Sequence, residues 1–303
     1  MTPLSPLTGS AGDEPGRRGR KLGPIADGVG PLHRAWLEPL RSRLEASGMT
    51  ASHLAERAGF SKSKVTELLR GVELYPQWEI TYALVRVLGM PVSPMCRLWT
   101  AAAREAHKKT GWIEGSIARI VVSAGPSAPP LEHHAFTRTN GRRYTRYADV
   151  FLRDVREADR VVTETFDMLW LRWDEALASS HVQRYAWQVL RRGVMARARH
   201  GDGYPDLAPA AFGTVALGHA TGLAAVAQVE QTLALFRAVS RLPDVQLDVI
   251  VLRYLRGMET TDVADMLGIS PALVTSSERH ARRSLTTRLD LPEHPEGPHV
   301  SDR

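Results

Sequence analysis

Apolar residues recur at i, i+3 and i+4 from His33 to about Lys109, as in Leu37, Leu40 and Leu44. That spacing predicts helices with one buried stripe. The same period returns over residues 136–200, where Phe166, Trp170, Trp173 and Trp187 form a dense aromatic group, and again from about Ala224 to Leu289. Phe166 and Trp170 read as core filler. No segment sustains period-2 alternation, so the fold class is all-α. Breaker-rich stretches separate the helical blocks: Ser123-Ala-Gly-Pro-Ser-Ala-Pro-Pro130, and the Gly-, Pro- and Ala-rich residues 201–222. The expected division is a disordered arm over 1–31, helical domains over 32–110, 136–200 and 224–289, flexible linkers over 111–135 and 201–223, and a disordered tail over 290–303.

Two of these blocks repeat one spacing: Ala, three residues, Gly, five residues, then Val. The first copy is Ala55…Gly59…Val65 and the second Ala264…Gly268…Val274. A helix-turn-helix explains each choice. Alanine sits where two helices cross closely, so only a small side chain fits. Glycine ends the first helix in a left-handed backbone conformation that a Cβ would penalise. Phe60 and Ile269 then turn inward, and Ser61 and Ser270 cap the second helix. Pro271 occupies the first turn of its helix, where no amide hydrogen is required. An ordinary helical hairpin with a glycine corner could carry one such match; two matches with inward apolar residues and serine caps point to DNA binding.

Composition agrees with a DNA-binding chain without deciding the matter. Of 303 residues, 39 are Lys or Arg against 33 Asp or Glu, a net charge of +6. Arginine supplies most of the positive charge, which suits planar contacts to a polyanion; a GC-rich genome produces the same usage. The single cysteine, Cys96, excludes an internal disulfide and a cysteine-rich zinc site. It reads as a small buried hydrophobe in the run MCRLW. No apolar run is long enough to span a bilayer, and the first residues lack the charged start and apolar core of a signal peptide. The expected location is the cytoplasm, in association with the nucleoid.

Residues 34–105 resemble the phage-repressor-like (XRE-type) helix-turn-helix family, in the form frequent in actinobacterial regulators. The residues that carry this are Gly48-Met49-Thr50, Leu54-Ala55-Glu56, Ser61-Lys62-Ser63-Lys64-Val65, Leu69-Arg70-Gly71, Tyr75-Pro76-Gln77-Trp78-Glu79 and Leu88-Gly89, with Leu98-Trp99 and Ala102-Ala103-Arg104 beyond. The resemblance implies a five-helix domain that lays helix 61–70 in the major groove. Val65, Leu68 and Leu69 face inward there. Ser63, Thr66 and Glu67 are the candidates for base-edge contact, and Lys62, Lys64 and Arg70 serve bases or phosphates. A solvated helix face is the plain alternative.

The C-terminal block is similar to region 4 of sigma-70 family factors, particularly the extracytoplasmic-function type. The matching residues are Leu242-Pro243-Asp-Val-Gln246, Val249-Ile250-Val251-Leu252-Arg253-Tyr254, Gly257 through Ala264, Leu267-Gly268-Ile269-Ser270 and Val274-Thr275-Ser276. The resemblance implies a reader of the promoter −35 element. Ser270, Ala272, Thr275, Ser276, Arg279, Arg282 and Arg283 are its candidate DNA contacts. Residues 144–199 resemble region 2 less faithfully. The run Ala158 through Phe166, then Leu169-Trp170 and Arg172-Trp173, matches the helix that binds core RNA polymerase; Asp159, Arg160, Thr163 and Glu164 are its candidate contacts. Ala186-Trp187 matches the start of the helix that meets the −10 element.

The chain departs from the family where the family does its chemistry. Arg160 stands where an acidic residue is usual, and a reversed charge at a polar interface is costly. Thr163 replaces a glutamine, and Val194 and Ala198 replace the asparagine and aspartate that help melt and hold the −10 strand. Arg191, Arg192, Arg197 and Arg199 remain available for phosphates. In the second recognition helix Ala272-Leu273 replaces Gly-Thr, and Thr275, Ser277 and His280 fill positions that are often basic. DNA docking is therefore expected and promoter melting is not.

No phosphate-cradling loop and no nucleophile elbow occur. His133-His134 are adjacent, so their rings point apart, and no metal site is expected. Asp202-Gly-Tyr-Pro-Asp206 reads as a turn. The chain is thus expected to be no enzyme and to need no cofactor. Three functions compete: a sequence-specific regulator with a sigma-like half docking on DNA or polymerase, a working alternative sigma factor, and an interaction protein whose charge is incidental. Double-stranded DNA is the expected partner. The sigma-70 resemblance adds core RNA polymerase and an anti-sigma-like protein, no membrane is expected, and oligomeric state stays open.

Overall fold

A computed structural model describes residues 22–72, 75–120, 128–207 and 223–289, with side chains from residue 230 in the last span. Among these residues the fold is all-α apart from one two-stranded hairpin. No helix among them is long and apolar enough to cross a membrane. The arm over 1–21, most of the second expected linker and the tail after 289 lie outside the described residues.

The N-terminal block is built from α1 (Pro31–Ala46), α2 (Ala51–Ala58), α3 (Lys62–Arg70), α4 (Trp78–Val87), α5 (Val92–Glu105) and α6 (Thr110–Ala118). Proline opens α1, where its missing amide hydrogen costs nothing. Trp36, Leu37, Leu40 and Leu44 then bury one face of α1 against Trp78, Leu84, Leu98 and Trp99. Two features differ from the expected division. Residues 22–30 pack onto the block: Ala26 N–H donates to Arg70 O at 2.8 Å, and Arg41 donates to Gly23 O at 2.8 Å. The expected linker over 111–135 begins as α6. Gly111 and Gly115 weaken its helical signal, yet Ile113 is buried and Trp112 stacks on Trp99 with centroids 5.8 Å apart. Ser116 Oγ also accepts the Trp78 amide at 2.8 Å. The block therefore has six helices where five were expected.

The middle block comprises α7 (Leu131–Leu152), α8 (Val155–Leu171), α9 (Trp173–Ala178) and α10 (Val182–Met195). Asp154 caps α8 by accepting the amides of Arg156 and Glu157. A hairpin follows, β1 (His200–Gly201) pairing antiparallel with β2 (Tyr204–Pro205). Its tip is Asp202-Gly203, with φ of 52° and 82°, so this stretch is the turn its residues suggested.

The C-terminal block holds α11 (Leu223–Ser240), α12 (Asp244–Ile250), α13 (Thr260–Leu267) and α14 (Pro271–Leu289); a π-helical turn over Val251–Leu255 continues α12. The middle and C-terminal blocks do not have separate cores. Tyr144, Tyr147, Phe151, Val161, Trp187 and Leu190 pack in one cluster with Leu247, Val249, Val251, Val263 and Val274. Flexibly linked beads are thus not what the sequence builds here. The aromatic group divides: Trp173 and Trp187 are buried, while Phe166 and Trp170 are half-buried, Phe166 stacked on Tyr144 at 5.7 Å. The N-terminal block keeps its own core but rests on α8, with Met168 and Leu171 packed against it.

Candidate nucleic-acid interface

Both repeats fold into a helix, a glycine corner and a second helix. In the first, Ala55 is buried at the crossing, and Gly59 ends α2 with φ 75°. Ser61 Oγ accepts the Lys64 amide at 3.4 Å and so caps α3. Val65, Leu68 and Leu69 are buried, which fixes how α3 rotates. Lys62, Ser63, Lys64 and Arg70 are left exposed, with Thr66 and Glu67 half-buried beside them. Ser63 Oγ donates to Glu67 Oε1 at 2.7 Å, so two of the base-contact candidates are held as a pair. A short, capped helix with three outward cations is a preorganised platform for a polyanion.

The second repeat has the same local geometry in different surroundings. Ala264 is buried, Gly268 ends α13 with φ 64°, and Ser270 Oγ accepts the Leu273 amide at 3.2 Å. Val274 and Ala281 anchor the inner face of α14. Ser270, Ala272, Thr275, Arg279, Arg282 and Arg283 are exposed and Ser276 is half-buried. Leu273 lies 43% exposed on the same helix, an apolar intrusion on this face. Arg282 is engaged: its guanidinium lies over the Tyr254 ring at 5.5 Å and donates to the Tyr254 hydroxyl at 2.9 Å. The two corners differ most at glycine. A Cβ on Gly59 would meet open space; one on Gly268 would lie 2.8 Å from Arg184 Cβ and 2.9 Å from its Cα. The second corner is pressed against the start of α10.

That contact continues through Asp248. Its carboxylate accepts the Tyr147 hydroxyl at 2.7 Å, the Trp187 indole N–H at 3.0 Å and Arg191 Nε at 3.0 Å. Asp244 takes a second nitrogen of the same guanidinium at 2.8 Å. Burial pushes the Asp248 carboxyl above the usual carboxylate range, and three donors hold the oxygens in place. Nothing in the periodicity marked this residue. Its signal is a lone carboxylate inside the apolar run Leu247-Asp248-Val249-Ile250-Val251-Leu252.

The candidates on α8 are not brought together on one face. Asp159, Arg160 and Thr163 are exposed; Arg160 pairs with Glu157 at 2.6 Å and Thr163 Oγ1 donates to Asp159 O at 2.8 Å. Glu164 turns inward and pairs with Arg197. Further along, Asp167 is buried under Arg97 of α5, which grips it with two nitrogens at 2.5 and 2.8 Å. Two of the four arginines expected to be free for phosphates, Arg191 and Arg197, are committed to internal ion pairs, while Arg192 and Arg199 are exposed. Val194 and Ala198 are core positions, so their apolar character has a packing cause. His133 is buried, in hydrogen-bond contact with Phe166 O at 3.0 Å, and His134 is exposed. No cluster of metal-ligating side chains occurs among the described residues. Cys96 is half-buried, and burial raises its thiol.

Residues 232–285 match the family model described as Sigma-70, region 4, a span running from α11 into α14. Among curated proteins none matches the chain. Region 4 is a DNA-binding, polymerase-contacting domain, and the chain carries a module of that kind with a sigma-like part in transcription.

Proposed function

We propose that the chain is a sequence-specific DNA-binding transcriptional regulator. On this reading α3 recognises double-stranded DNA, and a sigma-like half docks on DNA or RNA polymerase. The resemblance of the N-terminal block to repressor-like domains and the open, cationic face of α3 support the first part. The region 4 match supports the second. The anti-sigma-like partner and a nucleoid location belong to the same reading.

One observation carries regulation over promoter opening. On the resemblance to region 2, α10 is the helix that would meet the −10 strand, and its Trp187 and Arg191 are buried against Asp248 of the C-terminal block. Exposing them costs three hydrogen-bonded donors their acceptor in a low-dielectric interior. A second reading, an extracytoplasmic-function type sigma factor, draws support from the outward Asp159, Arg160 and Thr163 on α8 and the exposed face of α14.

Purified protein, core polymerase and a supercoiled genomic template library separate the two. Footprints without discrete transcripts are expected. Specific initiation would establish the sigma reading instead.

A further inference from the structure

A cavity of about 150 Å³ lies where α1 of the N-terminal block meets α8 and α10. Leu32, Ala35, Met168 and Val189 give it an apolar wall. Two polar groups on its lining are unspent. The Glu164 side chain is 8% exposed; Arg197 holds one oxygen, and Oε1 is buried with no hydrogen-bond partner. Such an orphan acceptor is expensive unless something donates to it. Arg192, exposed at the rim, has no ion pair or hydrogen bond among the described residues.

Size and charge narrow what fits. A volume near 150 Å³ is about that of an engineered core cavity that holds one benzene ring, so a nucleotide is far too large. Four arginines, Arg34, Arg172, Arg192 and Arg197, face two glutamates, Glu38 and Glu164, and this excess of positive charge favours an anion. Arg34 is already used on the carbonyls of Val29 and Ala26, and Arg172 on Glu175, which leaves Arg192 to meet it. A second cation beside Glu164 would be repelled by those guanidiniums, whereas a neutral hydroxyl satisfies Oε1 without adding charge. Burial raises the Glu164 carboxyl, consistent with an oxygen short of donors.

We propose that this cavity binds a small apolar hydroxycarboxylate, its body against Ala35 and Met168, its hydroxyl donating to Glu164 Oε1 and its carboxylate on Arg192. The occupant bridges α1 to α8 and α10, and so ties the N-terminal block to the rest of the chain. The site is independent of which transcriptional role the chain has.

Equilibrium dialysis of the full chain with 4-hydroxybenzoate tests this directly, with benzoate lacking the hydroxyl and phenol lacking the carboxylate. Saturable binding of 4-hydroxybenzoate is expected, and each one-ended analogue binds about tenfold more weakly. Arg192→Ala, at an exposed side chain with no partner to strand, weakens binding about tenfold. Ala35→Phe, which fills the cavity, lowers affinity by at least about as much. Absence of saturable binding, or wild-type affinity in either variant, overturns the proposal.

Discussion

Asp248 Oδ2 accepts the indole N–H of Trp187 at 3.0 Å, joining α12 to α10 across 61 positions of sequence. With Tyr147 and Arg191 on the same carboxylate, one buried side chain fastens the C-terminal block to two helices of the middle block. Asp248→Ala would leave a phenol, an indole and part of a guanidinium without an acceptor. The expected loss is about 3–5 kcal/mol, and Asp248→Asn, which keeps one accepting oxygen, loses less. Urea unfolding of the full chain measures both; an unshifted midpoint in Asp248→Ala would contradict the buried contact.

The two glycine corners offer a matched comparison. Gly59→Ala meets only the left-handed backbone, so about 1 kcal/mol is expected. Gly268→Ala meets the same backbone and also the main chain of Arg184, and about 2–4 kcal/mol is expected. Equal losses in urea titrations would mean the second corner does not bear on α10.

His33 predicts a pH dependence. Burial, and after it the charge of Arg34, holds this imidazole down at about 4 from its ordinary 6.5. Because the folded value is depressed, the unfolded chain takes up the proton first as pH falls. The stabilisation is therefore complete above pH 6.5 and is lost as pH falls through about 4. About 2 kcal/mol is expected to go between pH 6.5 and pH 5. His33→Phe keeps a ring against Trp36, whose centroid lies 4.9 Å from that of His33, and should flatten this part of the curve. A variant curve parallel to the wild type would assign the acid sensitivity elsewhere.

Lys64 is exposed on α3 with no salt bridge among the described residues. Lys64→Ala should weaken DNA binding and reduce the slope of log K against log salt by about one counterion. An unchanged slope in a salt titration removes Lys64 from the phosphate contacts.

What was legible in the sequence was local. The spacing of Ala55, Gly59 and Val65, and of Ala264, Gly268 and Val274, gave both corners with their serine caps, because each relation spans one helical turn or two. Helix α6 was hidden by Gly111 and Gly115, which lower helix propensity, while the tertiary contacts of Trp112 and Ile113 that sustain it have no local signature. The shared core was hidden for the same reason. Tyr147 and Asp248 lie 101 positions apart, and no period connects them. Arg191 and Arg197 read as free cations because their acidic partners are distant in the chain or on another helix.

Sequence reading by α3 is tested most directly by selecting bound sites from a random duplex pool with the full chain and two double variants. The wild type should enrich one motif. Ser63→Ala with Glu67→Ala should lose or change that motif, whereas Ser276→Ala with Arg279→Ala should enrich the same one. The opposite pattern, a motif kept by the α3 variant and lost by the α14 variant, would contradict the assignment.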